Sequence, residues 1–350
     1  MLRHFGGSIV FALVGLGLAG WYGWSEGHSL HALLQALWIV SVLSVLEISL
    51  SFDNAVVNAT VLKAMDEVWQ RRFLTWGMAI AVFGMRVAFP LAIVAIAAGL
   101  GPLDAVRLSL RNPQEYERIV SSAHVGISGF GGAFLCLVGS KFFFNREKKL
   151  HWITAIEAQL ARFSHIPSIE TALLLVTMFV ISRWLSDADA LTFLVAGMMG
   201  IVTFVVVEGI SKYLELREEI ARARGIVVAA GLGGFLYLNV LDASFSFDGV
   251  IGAFALSNNM VIIAIGLSVG AMFVRSLTIM LVRKGTLAEY RYLEHGAFWA
   301  IMALGAIMLL SARYEIPEAL TGLIGAVLIG VSLAWSVLDN RREAKRGSAG

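Results

Sequence analysis

Residues 46–55 read Leu-Glu-Ile-Ser-Leu-Ser-Phe-Asp-Asn-Ala and lie inside an apolar run from about Leu33 to Leu62. Two carboxylates, Glu47 and Asp53, therefore stand where a bilayer would surround them, with further oxygen donors on Ser49, Ser51 and Asn54. An ionisable side chain at membrane depth costs about 2.5–3.5 kcal/mol on insertion scales, so it reads as functional by default. The phrase returns at 241–250 as Leu-Asp-Ala-Ser-Phe-Ser-Phe-Asp-Gly-Val. Asp242 takes the place of Glu47 and Asp248 that of Asp53, while Ser244, Ser246 and Phe247 match Ser49, Ser51 and Phe52, all at an offset of 195 residues. An acidic, serine-rich phrase written twice within apolar sequence predicts one polar site built from two halves.

Working outward, the whole chain has the composition of a polytopic helical membrane protein. Of its 350 residues 58% are hydrophobic and only 15% charged, and the mean hydropathy is +0.78, which a soluble domain of this size would not tolerate. The net charge of +2 and the absence of basic runs beside aromatics exclude a nucleic-acid partner. A single cysteine, Cys136, excludes an internal disulfide and argues against a thiolate metal site.

Ten stretches are apolar enough to cross a hydrocarbon core, which takes roughly 20 helical residues: 5–24, 33–62, 73–99, 121–144, 169–186, 190–211, 225–257, 260–282, 295–312 and 318–338. The first reads as a span rather than a cleaved signal peptide, because no small-x-small cleavage site follows it. A tight turn at Ser186 to Ala190 makes the fifth and sixth spans a hairpin. With the N-terminus inside, 20 Lys and Arg fall on the cytoplasmic side and 5 on the other, so both termini are expected in the cytoplasm. The two acidic phrases then lie in the second and seventh spans, in helices of opposite direction. The expected plan is a 5+5 inverted repeat, residues 1–186 and 187–350, a plan that puts substrate sites near the midplane. Arg86 and Arg275 fall within the spans that follow each phrase, and His124 and His295 open the next pair.

A continuous helix would set Glu47 and Asp53 about 240° apart and about 9 Å along the axis, on different faces. The second and seventh stretches, at 30 and 33 residues, are also longer than a core of about 30 Å requires. Both facts predict helices interrupted near Ser49–Asp53 and Ser244–Asp248. The donor set of Glu47, Asp53, Asn54, Asp242, Asp248, Ser49, Ser51, Ser244 and Ser246 is all oxygen, which suits Mg²⁺, Ca²⁺ or Mn²⁺. Four carboxylates against Arg86 and Arg275 leave a charge of −2, which one divalent cation would neutralise; protons could serve as counter-ions. The arginines read as charge-balancing groups, and His124 and His295 as relay candidates with interfacial packing as the plainer alternative. Trp152, Ile153, Ile156, Leu160 and Phe163 recur at helical spacing and predict a helix lying on the membrane surface. The loop from Gly101 to Val120 is polar and carries no recognisable site.

These motifs resemble the TerC/Alx family of integral membrane proteins, within the wider lysine-exporter superfamily. The resemblance rests on Glu47-Ile-Ser-Leu-Ser-Phe-Asp53-Asn54, on Asp242-Ala-Ser-Phe-Ser-Phe-Asp248, and on Arg86 and Arg275. It implies a secondary transporter of the bacterial inner membrane that exports a divalent cation, Mn²⁺ foremost, as substrate rather than resident cofactor. It also implies that the family's acidic positions carry over to Glu47, Asp53, Asn54, Asp242 and Asp248. The chain departs from the family after Asp248, where Gly249, Val250 and Ile251 replace the usual Asp-Ser and a following proline. Two other readings stay open: export of a small organic solute whose carboxylate the arginines would bind, and an intramembrane metal-dependent enzyme. Against an enzyme, the chain has no His-Glu-x-x-His, no Gly-x-Ser-x-Gly and no phosphate loop. An oligomer is compatible with the sequence.

Overall fold

The computed structural model describes residues 2–77, 79–145, 148, 150–163, 165–224, 230–254, 256–257, 259–283, 289–314 and 316–347. Among them the regular structure is entirely helical: α1 (Leu2–Gly27), α2 (Leu30–Leu50), α3 (Phe52–Lys63), α4 (Glu67–Arg72), two π-helical segments (Phe73–Gly77 and Ile80–Ala88), α5 (Phe89–Ala97), α6 (Pro102–Arg111), α7 (Pro113–Ser122), α8 (His124–Phe143), α9 (Thr154–Phe163), α10 (Ile169–Ser182), α11 (Asp187–Ala223), α12 (Leu232–Phe254), α13 (Met260–Arg283), α14 (Leu293–Ser311) and α15 (Glu318–Gly347). Among the described residues, eight helical stretches are long and apolar enough to cross a membrane. The other two expected spans are α10, at 14 residues, and α12, at 23. The protein is a polytopic helical membrane protein.

Packing divides the chain into two compact units that interleave along the sequence. Unit 1 is residues 1–51, 64–124 and 210–280, and unit 2 is residues 52–63, 125–209 and 281–350.

In unit 1, α1 and α2 form a hairpin. Ser29 caps α2 by accepting from the Ala32 N–H at 3.2 Å, the arrangement that N-terminal serines favour. Ser8 ties α1 to α13 through the Met272 carbonyl at 2.5 Å and the Ser276 hydroxyl at 2.7 Å, and Asn259 Nδ2 donates to Tyr22 Oη at 3.0 Å. The polar loop expected over Gly101 to Val120 is instead the helices α6 and α7, whose inner face buries Ala105, Tyr116 and Val120.

In unit 2, α3 packs against α14 and α15, and small residues bring α8 close to α14. A Cβ at Gly132 would lie 2.9 Å from the Leu309 backbone nitrogen, and one at Gly305 2.9 Å from that of Cys136, the close approach that small residues permit where lipid supplies no hydrophobic drive. The fifth and sixth spans form the expected hairpin, with Ser186 accepting from the Asp189 N–H at 3.3 Å where α11 begins.

The two acidic phrases differ in backbone. The second span is interrupted, as expected: α2 ends at Leu50, Ser51 takes φ −100° and ψ 15°, and α3 starts at Phe52. The seventh is not. Helix α12 runs unbroken through Ser244–Asp248, which corrects the expectation of a second break. Ser244 donates to the Val240 carbonyl one turn back at 3.2 Å, and Gly249-Val250-Ile251 brings no proline to remove a backbone donor.

A buried carboxylate site in each unit

In unit 1 the site is built around Glu47. It lies in the last turn of α2 with 2% of its surface exposed. Arg86, also buried, donates through Nη2 to Glu47 Oε1 in a short ion pair, and Ser51 Oγ donates to the same oxygen at 2.9 Å. Two glycines make room for this carboxylate. A Cβ at Gly270 of α13 would lie 2.5 Å from Glu47 Cβ, and one at Gly249 of α12 would lie 3.1 Å from Glu47 Oε2. Gly249 is thus where Glu47 presses against α12.

The π-helix positions the arginine. Within Ile80–Ala88 the Phe89 N–H bonds the Gly84 carbonyl five residues back, and Arg86 Nη1 donates to the Ala81 carbonyl at 2.7 Å, again five residues back. The wider turn thus leaves a carbonyl to hold one edge of the guanidinium while the other meets Glu47. Such π segments are frequent at functional sites. No pattern in GMRVAF announces one.

The other predicted residues of unit 1 divide. Asp242, Ser244 and Ser246 on α12 are buried, and Ser246 Oγ has no hydrogen-bond partner. Ser49 faces outward and donates to the Val45 carbonyl at 2.9 Å, so it is turned away from Glu47. Arg275 is not drawn to a carboxylate by its Nε, which donates to the Leu74 carbonyl at 2.7 Å. His124 is the first residue of α8 and is half-buried. The Asp248 side chain lies outside the described residues.

In unit 2, α3 carries Asp53 and Asn54, both buried, together with Asn58 one turn further on. Asp53 Oδ1 accepts from the Asn54 N–H at 2.8 Å in the first turn of the helix, where the helix dipole favours a carboxylate. Asp53 Oδ2 lies 3.9 Å from where a Cβ on Gly325 of α15 would stand. Asn58 was the residue to find from sequence, since it follows Asn54 at i+4 on an apolar helix.

A second buried acid in unit 2 had no signal of this kind. Glu157, on the helix expected to lie on the membrane surface, is fully buried. Its Oε2 accepts from Lys148 Nζ at 3.0 Å, the Trp152 N–H at 3.2 Å and His295 Nδ1 at 2.9 Å. Its Oε1 accepts from the Ile153 N–H at 3.3 Å and Trp299 Nε1 at 3.1 Å. Burial by itself would raise the Glu157 carboxyl, but the bonds from His295 and Lys148 outweigh it and hold the group well below the usual carboxylate range. The helix itself forms over Thr154–Phe163 as expected, with Ile156 and Phe163 exposed.

Among the described residues, no three His, Cys, Asp or Glu side chains converge on a point that would hold a metal ion. The charge of Glu47 is met by Arg86.

A helical membrane protein with buried acids is the class that the fold and sites define. Residues 52–343 match the family described as "Protein of unknown function (DUF475)", and the chain belongs to that family. No curated protein and no solved structure matches it.

Proposed function

We propose that this protein is a secondary transporter that exports a divalent cation, Mn²⁺ foremost, by means of the buried carboxylates of its two acidic phrases. The observation that carries the reading is the burial of Glu47, Asp53 and Asp242, all three from the repeated phrase, in helices of a membrane protein, where an ionised group without a task is costly. The oxygen-only donor set favours a hard cation, and the resemblance to TerC/Alx proteins points the same way. Arg86 neutralises Glu47; a cation would take over that role, and protons would neutralise the acids on the return. The Lys and Arg asymmetry supports an inner-membrane orientation with both termini cytoplasmic.

The test is manganese flux into or out of vesicles carrying the purified protein. Flux that falls at least about tenfold in Asp53→Asn and in Glu47→Gln supports the reading, the size expected when one charged ligand is lost at a cost of about 1.4 kcal/mol or more. Flux absent from the unaltered protein removes it. A second reading, export of a small organic acid, is favoured by one detail: Arg86 Nε is buried without an acceptor. Transport lost in Arg86→Lys but kept in Asp53→Asn would select it.

A further inference from the structure

Glu157 is the most heavily hydrogen-bonded acid described in the protein, and the transport reading gives it no task. Three of its five donors, Lys148 Nζ and the backbone N–H groups of Trp152 and Ile153, come from its own segment, and two, His295 Nδ1 and Trp299 Nε1, come from α14. Lys148 is further enclosed by aromatic rings, 4.0 Å above Phe142 and 4.6 Å above Phe143, and Phe142 stacks on Phe298 of α14 at 3.9 Å. The carboxylate therefore joins Lys148 and residues 150–163, a segment outside the spans, to one end of α14.

That end of α14 also supports the Asp53 helix. α3 packs along α14, and Glu294, next to His295, lies within electrostatic range of Lys148, His295 and Lys63, the last residue of α3. Over residues 150–163 Glu157 is the one buried charge described: Arg162 is exposed, as are Ile156 and Phe163. His151 Nδ1 stands 3.7 Å from Glu157 Oε2 and has no hydrogen-bond partner.

We propose that residues 150–163, with Lys148, form a latch on α14 that Glu157 fastens, and that the fastened latch holds α3, and with it Asp53, in one position against α14. The proposal rests on the transport reading only for its purpose: releasing the latch is the event that lets the Asp53 helix move during the cycle. A single buried carboxylate suits this task, because its bonds are made or lost together, and one uncompensated acid in the core makes a half-open state unfavourable.

The experiment is amide hydrogen exchange on the full-length protein in lipid nanodiscs. In Glu157→Gln, exchange is expected to quicken about tenfold or more over 150–163 and also over α3, while α1, in unit 1, exchanges as before. No change over 150–163 overturns the latch. Faster exchange over 150–163 with α3 unaltered overturns its hold on Asp53, and equal acceleration everywhere, α1 included, reduces Glu157 to a general stabilising residue. Should Glu157→Gln fail to fold, Trp299→Phe removes one donor and is read by the same three segments, with a smaller increase expected in the first two and the same results overturning the proposal. Absence of manganese flux in the unaltered protein strikes the transport reading and leaves the exchange result to judge the latch.

Discussion

The Arg86 guanidinium and the Glu47 carboxylate illustrate how a buried charge is tolerated in this protein: each is acceptable only because the other is there. Removing one member of such a pair leaves an uncompensated ion and costs about 3–5 kcal/mol, whereas replacing both is far milder. Arg86→Ala is therefore expected to lower the thermal unfolding midpoint sharply in detergent, and Glu47→Gln/Arg86→Gln to recover most of the loss, which a double-mutant cycle reads as coupling. Equal losses in the single and double variants would show that the pair contributes little. At Glu157 the same physics has a pH signature. Because the closed latch holds this carboxyl below the ordinary value of 4.5, its contribution is present above that value and disappears as the pH falls through the lower value of the closed state. Tryptophan emission from Trp152 and Trp299 should thus carry a step in acid below about 4.5, a step that Glu157→Gln should lack.

At the scale of elements, the close approach of α13 to α2 depends on Gly266 and Gly270, four residues apart. A Cβ at Gly266 would lie 2.7 Å from Leu43 Cβ, and one at Gly270 2.8 Å from the Ser44 carbonyl, while Ser44 Oγ donates to the Gly266 carbonyl at 3.0 Å. Gly270→Ala is expected to destabilise the protein by about 1–3 kcal/mol, the usual cost of overpacking a filled contact, measured by unfolding in mixed micelles. Gly330→Ala, where no atom lies within 4 Å, should be neutral and serves as the control. Helix continuity obeys a different rule. Both acidic phrases carry Ser-Phe-Ser or Ser-Leu-Ser before Phe-Asp, yet only the first is interrupted. Its break falls at Ser51, whose hydroxyl donates to Glu47, whereas the counterpart in α12, Ser246, has no hydrogen-bond partner; Ser49 and Ser244 both bond back one turn into their own helices.

For the whole molecule, the prediction is vectorial transport: manganese moved across vesicles by the unaltered protein, and lost in Asp53→Asn and Glu47→Gln. How much of this was legible beforehand follows from what each residue needs. Glu47, Asp53 and Asp242 could be singled out because an acid in an apolar run is conspicuous wherever it ends up. Glu157 could not, since on a loop helix with Arg162 and His165 nearby it reads as an ordinary solvated charge until His295, 138 residues away, is folded against it. Arg275 looked equivalent to Arg86 by its place in the repeat, but its Nε is on the Leu74 carbonyl, a partner that repeat symmetry does not specify. The π-helical turn at Ile80–Ala88 and the crowding at Gly249 had no local signature either. Apolar runs, their lengths and the position of acids within them are properties of single segments, decided by the cost of exposing backbone and charge to hydrocarbon, and these the amino-acid order determined alone. Which acid meets which cation depends on contacts between segments distant in the chain, and only the packed tertiary structure decided it.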